Sequence, residues 1–242
     1  MDIIRSSLSI EGERAQWFDI IVSMLTHEKI NDIWDSNHPY AEESDENNSR
    51  IGKFYINDNV YLTIKYQPNN IDQSQSIFYI SITAYNIERV LINNNSLSNY
   101  KATFVIYRQG SCIGFNFHVV TIHINSYPLN IPVVIDTINN SNDIAIFCTN
   151  NNSADILTSI SQAYANNYYL YFNNNFSNST NAIQLAPFIL SKIDAKCDTL
   201  YGVCISPVMN RFIKFNNEDW LLFNGLALPC KDEINYYYVS EI

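Results

Sequence analysis

His118 and His123 stand five apart in the stretch Gly114 to Asn125, GFNFHVVTIHIN, and imidazoles are the side chains best suited to bind a metal or move a proton near neutral pH. Either chemistry needs both rings at one point. On an unbroken strand an odd separation sends them to opposite faces. The apolar set, however, runs Ile113, Phe115, Phe117, Val119 and then Val120, Ile122, Ile124, a phase slip that a β-bulge at Val119-Val120 would produce. With the bulge both rings return to the polar side, but about four strand steps of roughly 3.3 Å hold them ~13 Å apart. Metal ligands sit near ~2 Å from one ion, so this pair cannot share one. His27 and His38 have no partner at motif spacing, and no metal site is expected.

Other reaction chemistries find no footing either. There is no GxSxG, P-loop or GxGxxG, and six glycines leave little material for loops that cradle phosphate. Asp194 and Asp198 are a carboxylate pair with nothing to position them for acid and base work. The run Glu42, Glu43, Ser44, Asp45, Glu46 lacks the spaced oxygen ligands and the glycine of an EF-hand loop, and reads as solvated. Cys112, Cys148, Cys197, Cys204 and Cys230 show no CxxC spacing and read as reduced, mostly buried thiols. The expectation is a protein that is not an enzyme, with no catalytic, cofactor-binding or metal-binding residues and no cofactor.

Charge narrows the partners. Residues 1–50 hold eleven Asp and Glu against four Lys and Arg, net −7, and the other 192 residues hold thirteen against ten, net −3. No basic cluster is available for a phosphate backbone, so nucleic acid is excluded as a partner. No stretch approaches the roughly 20 apolar residues of a membrane span, and Met1-Asp2-Ile3-Ile4-Arg5 is not followed by the apolar run of a signal peptide. Between Leu97 and Leu190 only Lys101, Arg108, Asp136, Asp143 and Asp155 are charged. A surface destined for burial against neighbours sheds charge in this way, so that region is expected to carry contacts between subunits. The acidic first fifty residues are expected at a periphery or against a basic partner.

The elements that would position these side chains are mostly strands. Trp17, Ile20, Ile21, Met24 and Leu25 fall at helical spacing and predict an amphipathic helix over residues 12–27, with a short second turn at Ile30, Ile33 and Trp34. Residues 35–50 lose all pattern. From Lys53 the period becomes two: Phe54 to Ile56 and Val60 to Tyr66 flank Asn57-Asp58-Asn59, Ile77 to Ile92 reads as one strand or two, and Lys101 to Tyr107 pairs across Arg108-Gln109-Gly110-Ser111 with the strand from Ile113. Val133 to Ile135 and Ile144 to Phe147 follow. Ser153 as N-cap, with Ile156, Leu157, Ile160, Ala163 and Tyr164 on one face, predicts an internal amphipathic helix. Tyr168 to Phe172 returns to strand. The fold class is mainly β: an antiparallel β-sandwich domain over 51–242, preceded by an acidic helical segment and connection over 1–50.

The most patterned part is residues 199–230, TLYGVCISPVMNRFIKFNNEDWLLFNGLALPC. Leu200 to Ile205 is a strand stopped by Pro207. Arg211 to Phe215 and Trp220 to Phe223 flank Asn216-Asn217-Glu218-Asp219, and Asn224-Gly225 is the hairpin turn into Leu226-Ala227-Leu228, because both residues tolerate positive φ. In a chain of thirty-four asparagines and eight lysines with an acidic helical N-terminus, this arrangement resembles virion structural proteins of tailed bacteriophages that infect low-GC hosts. The resemblance implies a tail, head-to-tail connector or capsid-associated subunit, made in the host cytoplasm and resident in the virion. Its implied partners are other virion proteins and copies of itself. The alternative is a lectin-like, carbohydrate-binding β-sandwich module in which Tyr and Asn meet sugars.

Overall fold

Alternating apolar and polar side chains dominate the chain, and the computed structural model is accordingly mainly β. It describes residues 1–6, 10–11, 14–69, 76–84, 86–94, 100–121, 129–138, 144–150, 153–158, 185–190, 195–203, 211–223 and 226–240. Two compact units are present: Ile3–Ile106 with Phe115–Ile131 and Tyr236–Ile242, and Met1–Asp2 with Tyr107–Gly114 and Pro132–Asn235.

The chain opens with β1 (Asp2–Ser6) and β2 (Ile10–Glu11), then α1 (Arg14–Leu25). In α1 the predicted face, Trp17, Ile20, Ile21, Met24 and Leu25, is buried together with Phe18. Trp17 meets Phe78 edge-on at 5.4 Å and Phe104 at 6.2 Å, the arrangement an aromatic quadrupole favours. A 3-10 turn at Asn31–Ile33 stands where the second turn is expected. An antiparallel meander follows: β3 (Glu42–Ser44), β4 (Arg50–Asn57), β5 (Val60–Gln67), β6 (Ile77–Ala84) and β7 (Ile87–Asn94). The segment from 35 to 50 is therefore not a patternless connection. Glu42 lies opposite Gly52, which ties the acidic segment into the sheet, so the units do not part near residue 50.

β8 (Tyr100–Gln109) and β9 (Cys112–Thr121) are joined at Gly110, whose φ of 58° is left-handed and suits glycine. In the unit that holds the meander, β8 lies between β9 and β1, β2 also pairs with β8, and β18 (Asn235–Val239, last in the chain) follows β1. In the other unit β10 (Leu129–Thr137), β11 (Ile144–Asn150) and β12 (Ser153–Thr158) run beside the closed end of the β8–β9 hairpin.

β12 corrects the predicted internal helix over Ser153–Thr158. Its register sets Asn150 opposite Ser153 and Ala145 opposite Thr158, so only Asn151 and Asn152 join the two strands. Pairing with a buried strand overrides a helical spacing carried by few residues. The rest of that helix, and the strand expected at Tyr168 to Phe172, lie outside the described residues.

The same unit holds a second five-stranded sheet, β13 (Leu185–Leu190), β14 (Ala195–Val203), β15 (Arg211–Phe215), β16 (Glu218–Phe223) and β17 (Leu226–Cys230), in the order β13-β14-β17-β16-β15. The β15–β16 turn is tighter than expected. Phe215 faces Glu218, and Asn216 and Asn217 take φ of 51° and 65°, as a type I′ turn requires. Asn224 and Gly225 lie outside the described residues, while Phe223 pairs with Leu226 across them. Trp220 anchors a core with Leu222 and Ala227. Among the described residues no helix is long and apolar enough to cross a membrane.

Candidate functional site

Three places bring chemically able side chains together. The histidines that prompted the search are not among them: His118 lies on β9 but its side chain is outside the described residues, and so is all of His123. Asp194, Cys148 and Cys204 are likewise not described as side chains.

The first place is Asp136, fully buried near the end of β10. Its Oδ2 accepts the backbone N–H groups of Thr199 and Leu200, each at 2.8 Å, and its Oδ1 accepts the N–H of Thr137 at 2.9 Å and the Ser111 hydroxyl at 3.2 Å. The Thr137 hydroxyl is 2.6 Å from Asp198 and 2.9 Å from Ser111. Burial raises the Asp136 pKa, opposed by the bonds from Thr199 and Leu200. Nearby Cys112 and Cys197 are free and buried, and burial pushes both thiols up, away from the reactive thiolate. Four donors occupy both carboxylate oxygens, so Asp136 ties β10 to β14 beside the isolated bridge Ile138–Cys197. A lone Asp after the apolar run Val133-Val134-Ile135 is the signal that could have revealed it.

At the second place, His38 Nδ1 lies 2.8 Å from Asp35 Oδ2 and 3.6 Å from Asp58 Oδ1, and the three donor atoms lie within 4.8 Å of one another. The Asp35 N–H donates to the Tyr55 carbonyl at 2.7 Å, which seats the turn after α1 against the end of β4. Asp58 stands at the tip of the β4–β5 hairpin. The hydrogen bond to His38, aided by the Asn37 N–H, holds the Asp35 carboxyl below its ordinary value. Sequence reasoning left His38 without a partner because Asp58 lies on a different turn, twenty residues on.

The third place is β18, Asn-Tyr-Tyr-Tyr-Val, which carries no charge and no proline. It ends its sheet, and among the described residues nothing pairs with its outer edge. Tyr236 and Tyr238 are 50% and 56% exposed. The Arg5 guanidinium lies 5.4 Å and 4.2 Å from their ring centres and donates to the Tyr238 hydroxyl. Tyr237 points the other way, its ring 5.2 Å from that of His27 and 5.6 Å from Lys29 Nζ. The other exposed large apolar side chains among the described residues, Val90 on β7 and Phe212 on β15, also sit on the last strand of a sheet. No signal in the local sequence marks β18 as an edge, since its neighbour β1 lies over 200 residues away.

No family model, no curated protein and no solved structure matches the chain.

Proposed function

We propose that the chain is a non-catalytic structural subunit of a phage particle, a β-sandwich protein that assembles through protein-protein contacts along strand edges. The observation that carries this reading is β18. Soluble proteins blunt an exposed edge with charge, proline or a bulge, because unpaired N–H and C=O groups invite another strand. β18 has neither charge nor proline and presents two half-exposed tyrosines instead, a residue type enriched where protein surfaces meet. The placement of Val90 and Phe212 on two further sheet ends points the same way. The phage assignment itself rests on the resemblance of residues 199–230.

The test combines a search for the chain in purified particles with sedimentation of Tyr236→Lys/Tyr238→Lys. Charge on the edge should weaken association at least tenfold, as loss of a tyrosine hot spot of about 2 kcal/mol would, while the circular dichroism of the folded chain is retained. A chain that is absent from particles and monomeric at every concentration would sink the proposal. The Arg5, Tyr236 and Tyr238 surface also favours a second reading, carbohydrate binding by ring stacking. Glycan-array binding by the monomer, lost in Tyr238→Ala, would select it.

A further inference from the structure

We infer that Asp35, His38 and Asp58 form a binding site for one divalent transition-metal ion of the zinc type, held by one imidazole nitrogen and two carboxylates. Three protein ligands each about 2.0 to 2.2 Å from an ion stand roughly 3 to 4 Å from one another. The separation of 3.6 Å from His38 Nδ1 to Asp58 Oδ1 falls in that range, that of 2.8 Å to Asp35 Oδ2 is slightly shorter, and all three donors lie within 4.8 Å of one another.

The donors are also aimed. Asn37 donates to Asp35 Oδ1 through its N–H at 2.9 Å and its Nδ2 at 3.0 Å, so Oδ2 is the oxygen left to turn toward the other two. The His38 N–H donates to the Asp35 carbonyl at 3.0 Å, and the His38 ring lies 4.9 Å from that of Tyr55, which fixes the imidazole beside the hairpin. The Asn59 N–H donates to Asn57 Oδ1 at 2.9 Å, which holds the tip that carries Asp58. Second contacts that orient ligands in this way are what metal sites use. Side-chain exposure rises from 17% at Asp35 to 42% at His38 and 82% at Asp58, so one side stays open for water to complete the coordination shell.

Charge separates this cluster from its neighbours Asp19, Glu42, Glu43 and Asp45. Glu42 and Asp19 share Arg50, Glu43 pairs with Lys53 and Asp45 with Lys65. Among the described residues no lysine or arginine pairs with Asp35 or Asp58, and a single imidazole stands between the two carboxylates. A divalent cation supplies the missing charge. The imidazole selects the class: calcium and magnesium prefer all-oxygen shells, while zinc and its neighbours take nitrogen with carboxylate.

Equilibrium dialysis of the full chain against zinc is the test, with Asp58→Asn and His38→Gln as variants. One zinc should bind per chain, and each variant should weaken binding at least about tenfold, in line with the roughly 10 to 100-fold effects seen even for ligand-supporting groups. Asp58 is on an exposed turn, so Asp58→Asn keeps the circular dichroism of the parent and remains informative if His38→Gln does not fold. Cobalt offers a second readout, its visible absorption falling with the same variants. Failure to bind at millimolar zinc, or binding that both variants retain within threefold, overturns the inference.

Discussion

Replacing Asp136 tests whether a buried carboxylate can act as a strut. Asp136→Ala strips the acceptor from the Thr199 and Leu200 amides, both buried, and from the half-buried Thr137 amide and Ser111 hydroxyl. A buried donor left unmet costs about 1 to 3 kcal/mol, so the first two together cost roughly 2 to 6 kcal/mol. Relief of the desolvated charge offsets part of that sum, and water can replace the acceptor at the half-buried pair. The expected loss is about 2 to 4 kcal/mol. Asp136→Asn keeps one oxygen for the strand amides and should lose only about 1 kcal/mol near neutral pH. The pH dependence has a definite sign. Burial raises the folded pKa above the ordinary value of 3.8, so the contribution of Asp136 is greatest below that value and falls as pH rises through the folded pKa. The gap between parent and Asp136→Asn should therefore narrow from pH 4 upward. Urea unfolding by circular dichroism measures the gap, and hydrogen exchange at the Thr199 and Leu200 amides reports the strut directly. An Asp136→Ala variant within about 0.5 kcal/mol of the parent, with both amides still protected, would refute the reasoning.

Two further substitutions probe local claims. Asn216→Val should cost about 1 to 2 kcal/mol in a thermal melt, because a branched side chain resists the φ of 51°, while Asn217→Gly should hold or raise stability. Lys65→Met should move the Asp45 carboxyl up toward its ordinary value in an NMR titration. Lys65, aided by the Ser49 N–H, holds it well below that value, so its contribution is present above the ordinary carboxylate pKa and lost as pH falls through the folded one.

What the sequence revealed was local in origin. The α1 face is set by the 3.6-residue period, and the β4–β5, β8–β9 and β15–β16 hairpins by apolar runs around Asn, Asp and Gly, so each could be read from a short window. β12 was misread because Ile156, Leu157 and Ile160 suit a helix face as well as a strand, and only pairing with β11 decides between them. β1 and β18 went unseen for a related reason. Five residues without flanking turn signals are weak evidence, and their partners are distant in sequence. The same limit hid the Asp35, His38 and Asp58 cluster and the Asp136 network, in which residues more than sixty apart share a carboxylate. Spacing arguments see along an element and not across two.

Charge, counted along the chain, marks the first fifty residues as an acidic segment lying at a periphery or against a basic partner. In three dimensions much of that charge is answered from within: Arg50 bridges Asp19 and Glu42 at 2.7 Å each, Lys53 reaches Glu43 at 3.2 Å and Lys65 reaches Asp45 at 2.9 Å. These partly exposed pairs add little stability individually. Their consequence is for the edge they occupy. β3 ends its sheet with Glu42, Glu43 and Ser44 all exposed, and another strand docking there would have to desolvate or displace those ion pairs. β15 carries Lys214 near Phe212, and β7 carries Glu88 and Arg89 beside Val90, so each is partly guarded. β18 has no charge of its own; Arg5 is stacked on Tyr236 and Tyr238 on one face and Lys29 lies over Tyr237 on the other. Ranked by the free energy a partner strand would forfeit on docking, β18 is the least obstructed of these edges. That ranking, rather than the scarcity of charge between Leu97 and Leu190, is the physical ground for the proposal that an assembly contact forms at β18.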